Sequence, residues 1–424
     1  MSPSSRPLHA LIIGGGLAGP CLALSLARHS IRSTIFELRP HITDEGGSIS
    51  LGPNALKVLD RYASVYDRVK EVGYTYRRFG AYTDDGEKLG NIEVGETKEV
   101  GSEGYPAIRV MRTRLHRALF EAAEETKGMV DVKWGANVER IEEGADGVTA
   151  YFADGSSAKG DFLVGADGIH SFVRKHILGP AAPAPVFTNT VVVNGFLPRC
   201  AAVVPSPDFS FPAFMFTPSG LFMTVPTDPS ATQLAWGITR PSVERTREEW
   251  RELEISGEAA RMAKADFADI EAQPTRSLLD EADETTAKVW APYSLPDLPI
   301  WSKGRVVLIG DAAHAMPPNG HGTAMAFEDA ALLTRLLTSA APPSSTSDFS
   351  TLFSRFESLR RPRIDELKEE GKTGNLFKAK AGPWAWWAKK WLFRTFFWAK
   401  GGVMRHTEGV GYDVDEVDLE AAAK

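Results

Sequence analysis

Apolar positions along the chain follow three different rhythms. Leu11-Ile12-Ile13, Phe162-Leu163-Val164 and Val306-Val307-Leu308-Ile309 are short unbroken apolar runs, the pattern of parallel strands covered on both faces. Tyr74 to about Val100 alternates apolar and polar residues around Asp84-Asp85-Gly86, a hairpin signal. Phe211–Phe216, Leu221–Val225 and Gln233–Thr239 are β-rich runs separated by Pro, Gly and Ser turns. Apolar residues recur at helical spacing in Pro20–His29, Ala55–Tyr66, the stretch ending near Lys127, Thr246–Ala268, Thr323–Leu337 and Asp348–Glu370. The first and last of the unbroken runs are each followed by a helix, whereas the β-rich runs follow one another. This predicts an α/β fold: a parallel, doubly wound sheet with a mostly antiparallel region inserted and a helical C-terminus. No internal repeat is visible.

Gly14-Gly15-Gly16-Leu17-Ala18-Gly19 closes the first run and opens the first helix, and Ser33-Thr34-Ile35-Phe36 then ends at Glu37. This is the βαβ dinucleotide fingerprint: Gly14 for the tight turn, Gly16 for backbone approach to a pyrophosphate, Gly19 for close helix–strand packing. The helix N-terminus offers free N–H groups and the positive end of its dipole to the phosphates. Glu37, eighteen residues past Gly19, is placed to accept hydrogen bonds from a ribose. The fingerprint alone admits NAD(P) or FAD. Two further strand ends, Asp167-Gly168 and Gly310-Asp311, meet the same crevice in a doubly wound sheet, so one extended ligand can touch all three.

Composition narrows the partners. With 424 residues, 43% of them hydrophobic, the chain can fill two or three cores. A net charge of −7 leaves no basic surplus for a nucleic acid. Two cysteines make no disulfide framework, which points to a reducing compartment, and Cys21 reads as a small core residue. Met1–Pro7 lacks the apolar segment of a signal peptide, and no run reaches the ~18 apolar residues needed to span a bilayer. The expectation is a cytoplasmic enzyme. There is no metal-ligand cluster, nucleophile elbow or Ser/His/Asp arrangement.

The ordered motifs carry a resemblance. Besides Gly14–Gly19 they are Glu37-Leu38-Arg39, Gly47-Ser48-Ile49-Ser50-Leu51-Gly52-Pro53-Asn54, Arg112-Thr113-Arg114-Leu115-His116-Arg117-Ala118-Leu119 and Val164-Gly165-Ala166-Asp167-Gly168-Ile169-His170-Ser171. Gly310-Asp311-Ala312-Ala313-His314-Ala315-Met316-Pro317-Pro318, Glu328-Asp329-Ala330 and Arg360-Arg361-Pro362-Arg363 complete the set. Together, over Leu8–Arg363, they resemble the class A FAD-dependent monooxygenases of the para-hydroxybenzoate hydroxylase and salicylate hydroxylase type. The resemblance implies a Rossmann-like FAD-binding domain built from residues 1–73, 105–180 and 287–340. It implies an inserted antiparallel β substrate domain from 74–104 and 181–286, and a helical C-terminal region, 341–424, with an aromatic tail.

It also implies roles. Gly14, Gly16, Gly19, Glu37 and Arg39 would hold the AMP side of FAD, and Arg112 its pyrophosphate, where a permanently charged fork suits two phosphate oxygens. Gly47 and Ser48 would line the isoalloxazine edge, and Asp311 would hold ribityl hydroxyls. Pro318, Gly322 and Thr323 would bring the positive end of a helix to the flavin. Asp167 would touch both the phosphate region and the path of NADH or NADPH, for which no second fingerprint exists. The implied reaction is NAD(P)H-driven insertion of one oxygen atom from O2, through a C4a-(hydro)peroxyflavin, into a small molecule by hydroxylation or epoxidation. The alternatives are a same-fold reductase or dehydrogenase without oxygen insertion and a flavin-binding module without turnover. Arg109 and Arg114 read as surface charges, and His170 and His314 as structural parts of their motifs.

Departures from the family pattern bear on the substrate. Phe172 stands where Arg is common, with Arg174 two positions on, and Asn194-Gly195 aligns with an Arg-Gly pair that often binds acidic substrates. The flavin loop is about one residue short, and His321 replaces the usual Gln. His321 is a candidate to face flavin or substrate and move protons near neutral pH, against the alternatives that it caps the helix or points to solvent. Phe214, Phe216, Phe222, Thr224 and Trp236 read as one face of the inserted sheet, suggesting a largely apolar aromatic, polyketide, terpenoid or alkaloid substrate. Finally, Pro383-Trp384-Ala385-Trp386-Trp387 to Lys400 interleaves aromatic and basic residues. It is too short and charged to span a membrane, and either packs on the body or at a dimer contact or lies on a membrane surface as an amphipathic helix.

Overall fold

The computed structural model describes residues 7–42, 46–96, 104–284, 286–317, 320–339, 342–378, 380–405 and 409–421, with side chains throughout except over 372–378. Its architecture is the α/β one that the patterning predicts. The nucleotide sheet has six strands in the order Ser302–Lys303, Val306–Leu308, Phe162–Gly165, His9–Ile13, Arg32–Glu37 and Val130–Trp134. All pair in parallel except the short edge strand Ser302–Lys303. Its central strands are almost wholly apolar because helices cover both faces, and Leu11, Ile12, Leu163 and Val307 are wholly buried. The helices Ala18–Ala27, Pro53–Arg61, Arg112–Glu124, Gly322–Thr338 and Thr346–Lys378 share this core.

Close backbone approaches bring the three strand-end motifs together. Gly14 has φ +110°, and a Cβ there would lie 2.3 Å from the carbonyl oxygen of Ala166, beside Asp167. A Cβ on Gly310 would lie 3.1 Å from the Cβ of Ala326 and 3.7 Å from that of Ala18. The third motif is thereby seated between the first helix and the helix Gly322–Thr338.

The inserted region builds an eight-stranded sheet in the order Lys288–Trp290, Thr190–Pro198, Gln233–Pro241, Gly220–Pro226, Ala213–Thr217, Arg78–Thr83, Lys88–Glu93 and Val403–Arg405. Most neighbours are antiparallel, but Ala213–Thr217 runs parallel to Arg78–Thr83, and Val403–Arg405 parallel to Lys88–Glu93. One face packs on the helices Arg247–Ile255, Glu258–Asp266 and Thr275–Glu281. The other faces a three-stranded sheet of Ser48–Leu51, Ala107–Met111 and Tyr74–Tyr76, meeting it through Tyr76, Phe79, Ala107 and Val225.

The C-terminal region exceeds its sequence reading. Its first helix runs from Thr346 to Lys378, past the predicted end at Glu370, with Pro362 inside it. The helix Pro383–Ala399 then lies along the large sheet. Residues 409–421 return across the body: Val410 accepts from the Asn54 N–H (3.1 Å), and Asp413 pairs with Lys57 (3.2 Å) and Arg61 (3.0 Å). Among the described residues no helix is long and apolar enough to cross a membrane.

Candidate active site

The first two motifs lock each other. At the end of its strand Glu37 accepts from the Gly15 N–H (2.7 Å) and, through its other oxygen, from the Arg39 N–H (2.9 Å). The backbone of the glycine turn is thus held by the acid assigned to the ribose, while Arg39 itself is exposed. His116, to which sequence reasoning gave no role, supports the same turn: its Nε2 lies 2.5 Å from the Gly15 carbonyl. A Cβ on Gly19 would come within 2.1 Å of the Gly14 carbonyl oxygen, whereas one on Gly16 would meet nothing within 4 Å. Gly19 serves packing, and Gly16 opens onto the groove.

Arg112 begins its helix at the other side of that groove, its N–H donating to the Gly47 carbonyl (2.9 Å). Burial, then the charge of Arg39, lowers its pKa, while Asp311 and Glu37 raise it. The four charges therefore share one electrostatic neighbourhood. Asp311 is open to solvent but lies deep enough for burial to raise its pKa, against the opposing charges of His314 and Arg112. Neither Arg112 nor Asp311 is tied into an ion pair among the described residues. Gly47 and Gly322, like Gly16, have no neighbour where a Cβ would stand. Backbone access at three glycines, a guanidinium with no ion pair among the described residues and a carboxylate in its electrostatic neighbourhood fit FAD. Arg112 would hold the diphosphate, Asp311 the ribityl hydroxyls, Gly47 and Ser48 the ring edge, and Gly322 and Thr323 the helix end beside it.

Two assignments change character. Asp167 spends both carboxylate oxygens on the start of the helix Phe172–Leu178, accepting from Ser171 Oγ (2.5 Å) and the N–H groups of Phe172 (2.7 Å) and Val173 (3.0 Å). It shapes the strand end. His321 precedes the helix Gly322–Thr338 without a side-chain capping bond, and it is buried, not solvent-facing. A Cβ on Gly409 would lie 2.9 Å from its Cε1 and 3.0 Å from Glu370 Oε2, so its ring turns to the C-terminal segment. Pro318 lies outside the described residues.

Behind the cleft runs a buried charge network. Asp329 accepts from the Gly310 N–H (2.7 Å), lies 2.7 Å from His314 Nε2, and accepts from Arg360 Nε (2.7 Å). Arg360 also donates to Glu328 (3.0 Å), which accepts from Asn54 (2.7 Å). Burial would raise the Asp329 pKa, but His314 and Arg360 hold it down at about 2. His314 therefore orients the Gly310-Asp311 turn, as a structural member of its motif, while His170 is exposed. Arg174 ties the second motif to the third, donating to the carbonyls of Ile169 (2.6 Å) and Ala312 (3.1 Å).

The five residues assigned to one substrate-facing surface lie on two. The turn pairs Thr217 with Gly220, and therefore Phe214 with Met223 and Met215 with Phe222. Even-numbered residues of Ala213–Thr217 therefore share a face with odd-numbered residues of Gly220–Pro226. Thr224 then pairs with Trp236, placing Phe222, Thr224 and Trp236 together on the helix-covered face, buried with Phe267. The Trp236 indole lies over Gly195, where a Cβ would come within 2.8 Å of Nε1. Phe214 is on the opposite face, stacked on Phe79 at 4.1 Å, and Phe216, further along, packs on Phe393 of the C-terminal helix.

On the same face of its strand as Ala107, which packs in one cluster with Phe79 and Phe214, stands a cation that reads in the sequence as a surface charge. Arg109 is half-buried on the small sheet, donating from Nε to Ser48 Oγ (2.9 Å) and from Nη1 to Ser50 Oγ (3.0 Å), and Tyr76 donates to Ser50 (2.9 Å). Burial lowers its pKa, and no carboxylate pairs with it among the described residues. The available signal was the matched alternation of Ser48 and Ser50 with Arg109 and Met111 in strands whose intervening residues are apolar. Arg114, by contrast, is exposed.

The sequence profile of the FAD binding domain family matches residues 8–364. A 3-amino-4-hydroxybenzoate 2-monooxygenase of Streptomyces platensis is 33% identical over 385 residues, covering 90% of this chain and 91% of its own length. Salicylate hydroxylase of Pseudomonas putida is 30% identical over 406 residues, covering 87% and 85%. In fold, the chain superposes on HpxO of Klebsiella pneumoniae complexed with FAD and uric acid with a TM-score of 0.74, at 24% identity, over 93% of this chain and 95% of that one. This chain belongs to the FAD binding domain family and is a class A FAD-dependent monooxygenase, an oxidoreductase of the aromatic hydroxylase group that draws on NAD(P)H.

Proposed function

We propose that the enzyme hydroxylates an aromatic ring that carries an acidic substituent. The observation that carries this reading is Arg109: a half-buried guanidinium, fixed by two serine hydroxyls and lacking a carboxylate partner among the described residues, on the strand face it shares with Ala107 of the Phe79–Phe214 cluster. A buried cation is costly until an anion joins it, and a guanidinium fork matches a carboxylate. The absence of arginine at Asn194 had favoured an apolar substrate, and Arg109 supplies that charge from a different strand. Substrates named for the relatives above, 3-amino-4-hydroxybenzoate and salicylate, are aromatic acids, which supports the same reading.

Reduced FAD, when bound, supplies the activation of O2. The chain's own contribution is placement. Arg109 anchors the acid, while the half-buried Phe214 and Met223, backed by the buried Phe79 and Val225, offer apolar surface to the ring and exclude water. Asn194, on the same face as Met223 through Gly237, offers an amide to a ring substituent. Tyr76 is kept protonated by burial and spends its proton on Ser50, which in turn holds the Arg109 fork.

The test is turnover of a panel of hydroxy- and aminobenzoates and pyridine carboxylates, with their amides and methyl esters, under labelled O2. One labelled oxygen in a product of the acids, with the neutral analogues poor, is the expected outcome. Labelled product only from neutral compounds would refute the substrate class. NAD(P)H oxidation with no labelled product from any compound would favour the reductase alternative.

A further inference from the structure

Given the flavin placement above, we infer that residues 409–417 are positioning residues for the flavin. From behind the cleft they hold the three backbone turns that would line its ring and ribityl end. The segment lies beyond residues 8–364, the stretch that matches the FAD binding domain family.

Each turn reaches the segment by its own contacts. The first is where Ser48–Leu51 runs into the helix Pro53–Arg61. There the Asn54 N–H donates to the Val410 carbonyl (3.1 Å), and a Cβ on Gly52 would lie 3.0 Å from Val410 Cγ1. The second is Gly310-Asp311. Asp329 holds the Gly310 N–H, Arg360 holds Asp329, and the Arg360 guanidinium lies over the Tyr412 ring, 5.7 Å from its centroid. Arg363 lies 4.6 Å from the same centroid and donates to the Gly409 carbonyl. The third is His321-Gly322, whose buried imidazole is turned to Gly409.

The far end of the segment is fastened to the same helices that begin at the first and third turns. Asp413 pairs with Lys57 (3.2 Å) and Arg61 (3.0 Å), and Asp415 with Arg61 (2.7 Å), in the helix Pro53–Arg61. Arg335, in the last turn of the helix Gly322–Thr338, donates to the carbonyls of Val414 and Val417, the latter at 3.2 Å. Val414 is buried in the core between these anchors. Residues 409–417 therefore brace both helices, fixed at each end. The field of a helix terminus falls off within one turn, so a small shift of His321-Gly322 changes what the flavin ring feels.

The test uses the full-length enzyme and FAD itself as the probe. Gly409→Val places a side chain against His321, whose Cε1 a Cβ alone would approach to 2.9 Å. Tyr412→Ala removes the ring beneath Arg360 and Arg363, and Tyr412→Phe keeps it. Gly409→Val and Tyr412→Ala should each weaken FAD binding about tenfold. Both should also shift the visible flavin bands and lower the flavin reduction potential, because a displaced helix end favours negative charge on the ring less. Tyr412→Phe should restore all three properties. Asp311→Ala, on the cofactor side of the cleft, should weaken FAD binding independently of the segment. Gly409→Val and Tyr412→Ala variants that only melt at a lower temperature, with wild-type flavin bands, potential and FAD affinity, would reduce the segment to packing and overturn the inference. If Asp311→Ala were silent as well, the flavin placement would fall with it.

Discussion

Replacing Arg109 by Met moves two quantities in opposite directions. Arg109 keeps its two serine hydrogen bonds but has no ion pair among the described residues, so its charge is a net cost in the free protein. Methionine has similar length and no charge. The apoprotein should gain about 1–2 kcal/mol, the low end of what exchanging buried charge for apolar volume returns. In a chain of this size that is a rise of roughly 1–3 °C in melting temperature. A charge-assisted hydrogen bond to a carboxylate contributes about 1.5–3 kcal/mol, so kcat/KM for an aromatic acid should fall roughly 10- to 150-fold. The amide or methyl ester of the same acid, which never formed the ion pair, should change less than about threefold on the same scale. Thermal melting of the apoprotein and steady-state NAD(P)H oxidation on both substrates decide the matter. Equal losses for acid and ester would show that Arg109 shapes the site without reading charge. A lower melting temperature would show that its main service is to tie the strands Ser48–Leu51 and Ala107–Met111 together.

Other substitutions test the network and the sheet register. Arg360→Met leaves Glu328 and Asp329 buried without their cation and should cost about 3–5 kcal/mol in denaturant unfolding, with loss of FAD retention. An unchanged midpoint would contradict the network's role. Asp329 titrates at about 2 in the fold against an ordinary 3.8, so its native pairing is a stabilisation fully present above pH 3.8 and lost as pH falls toward 2. Asp329→Asn should flatten that acid limb of the stability curve, and a parallel limb in the variant would assign the loss to other groups. Trp236→Ala should destabilise by about 3–5 kcal/mol while leaving KM within about twofold, whereas Phe214→Ala should raise KM several-fold at a smaller stability cost. A KM effect from Trp236 as large as that from Phe214 would be incompatible with the opposed faces.

How far each part of the site was legible in the sequence depended on how local its cause is. The glycine turn could be read directly, because Gly14, Gly19 and Glu37 act within one βαβ unit and their purpose is fixed by backbone close to them. The convergence of Asp167 and Asp311 on it followed from topology. Strand parity did not, because one turn set it: pairing Thr217 with Gly220 puts Phe222 behind the sheet, and a turn one residue longer would have put it in front. Arg109 was hidden for the same reason, since a charge inside one short strand announces nothing until its neighbours Ser48, Ser50 and Tyr76 are known. His321 was illegible for a different reason. What covers it is Gly409, 88 positions later in a segment that Val410 and Asp413 bind to Asn54, Lys57 and Arg61. The cofactor end of the site is therefore encoded in contiguous motifs. The substrate end is encoded in register and in the return of the C-terminus, which makes it the part that can change between relatives while the flavin cradle stays as it is.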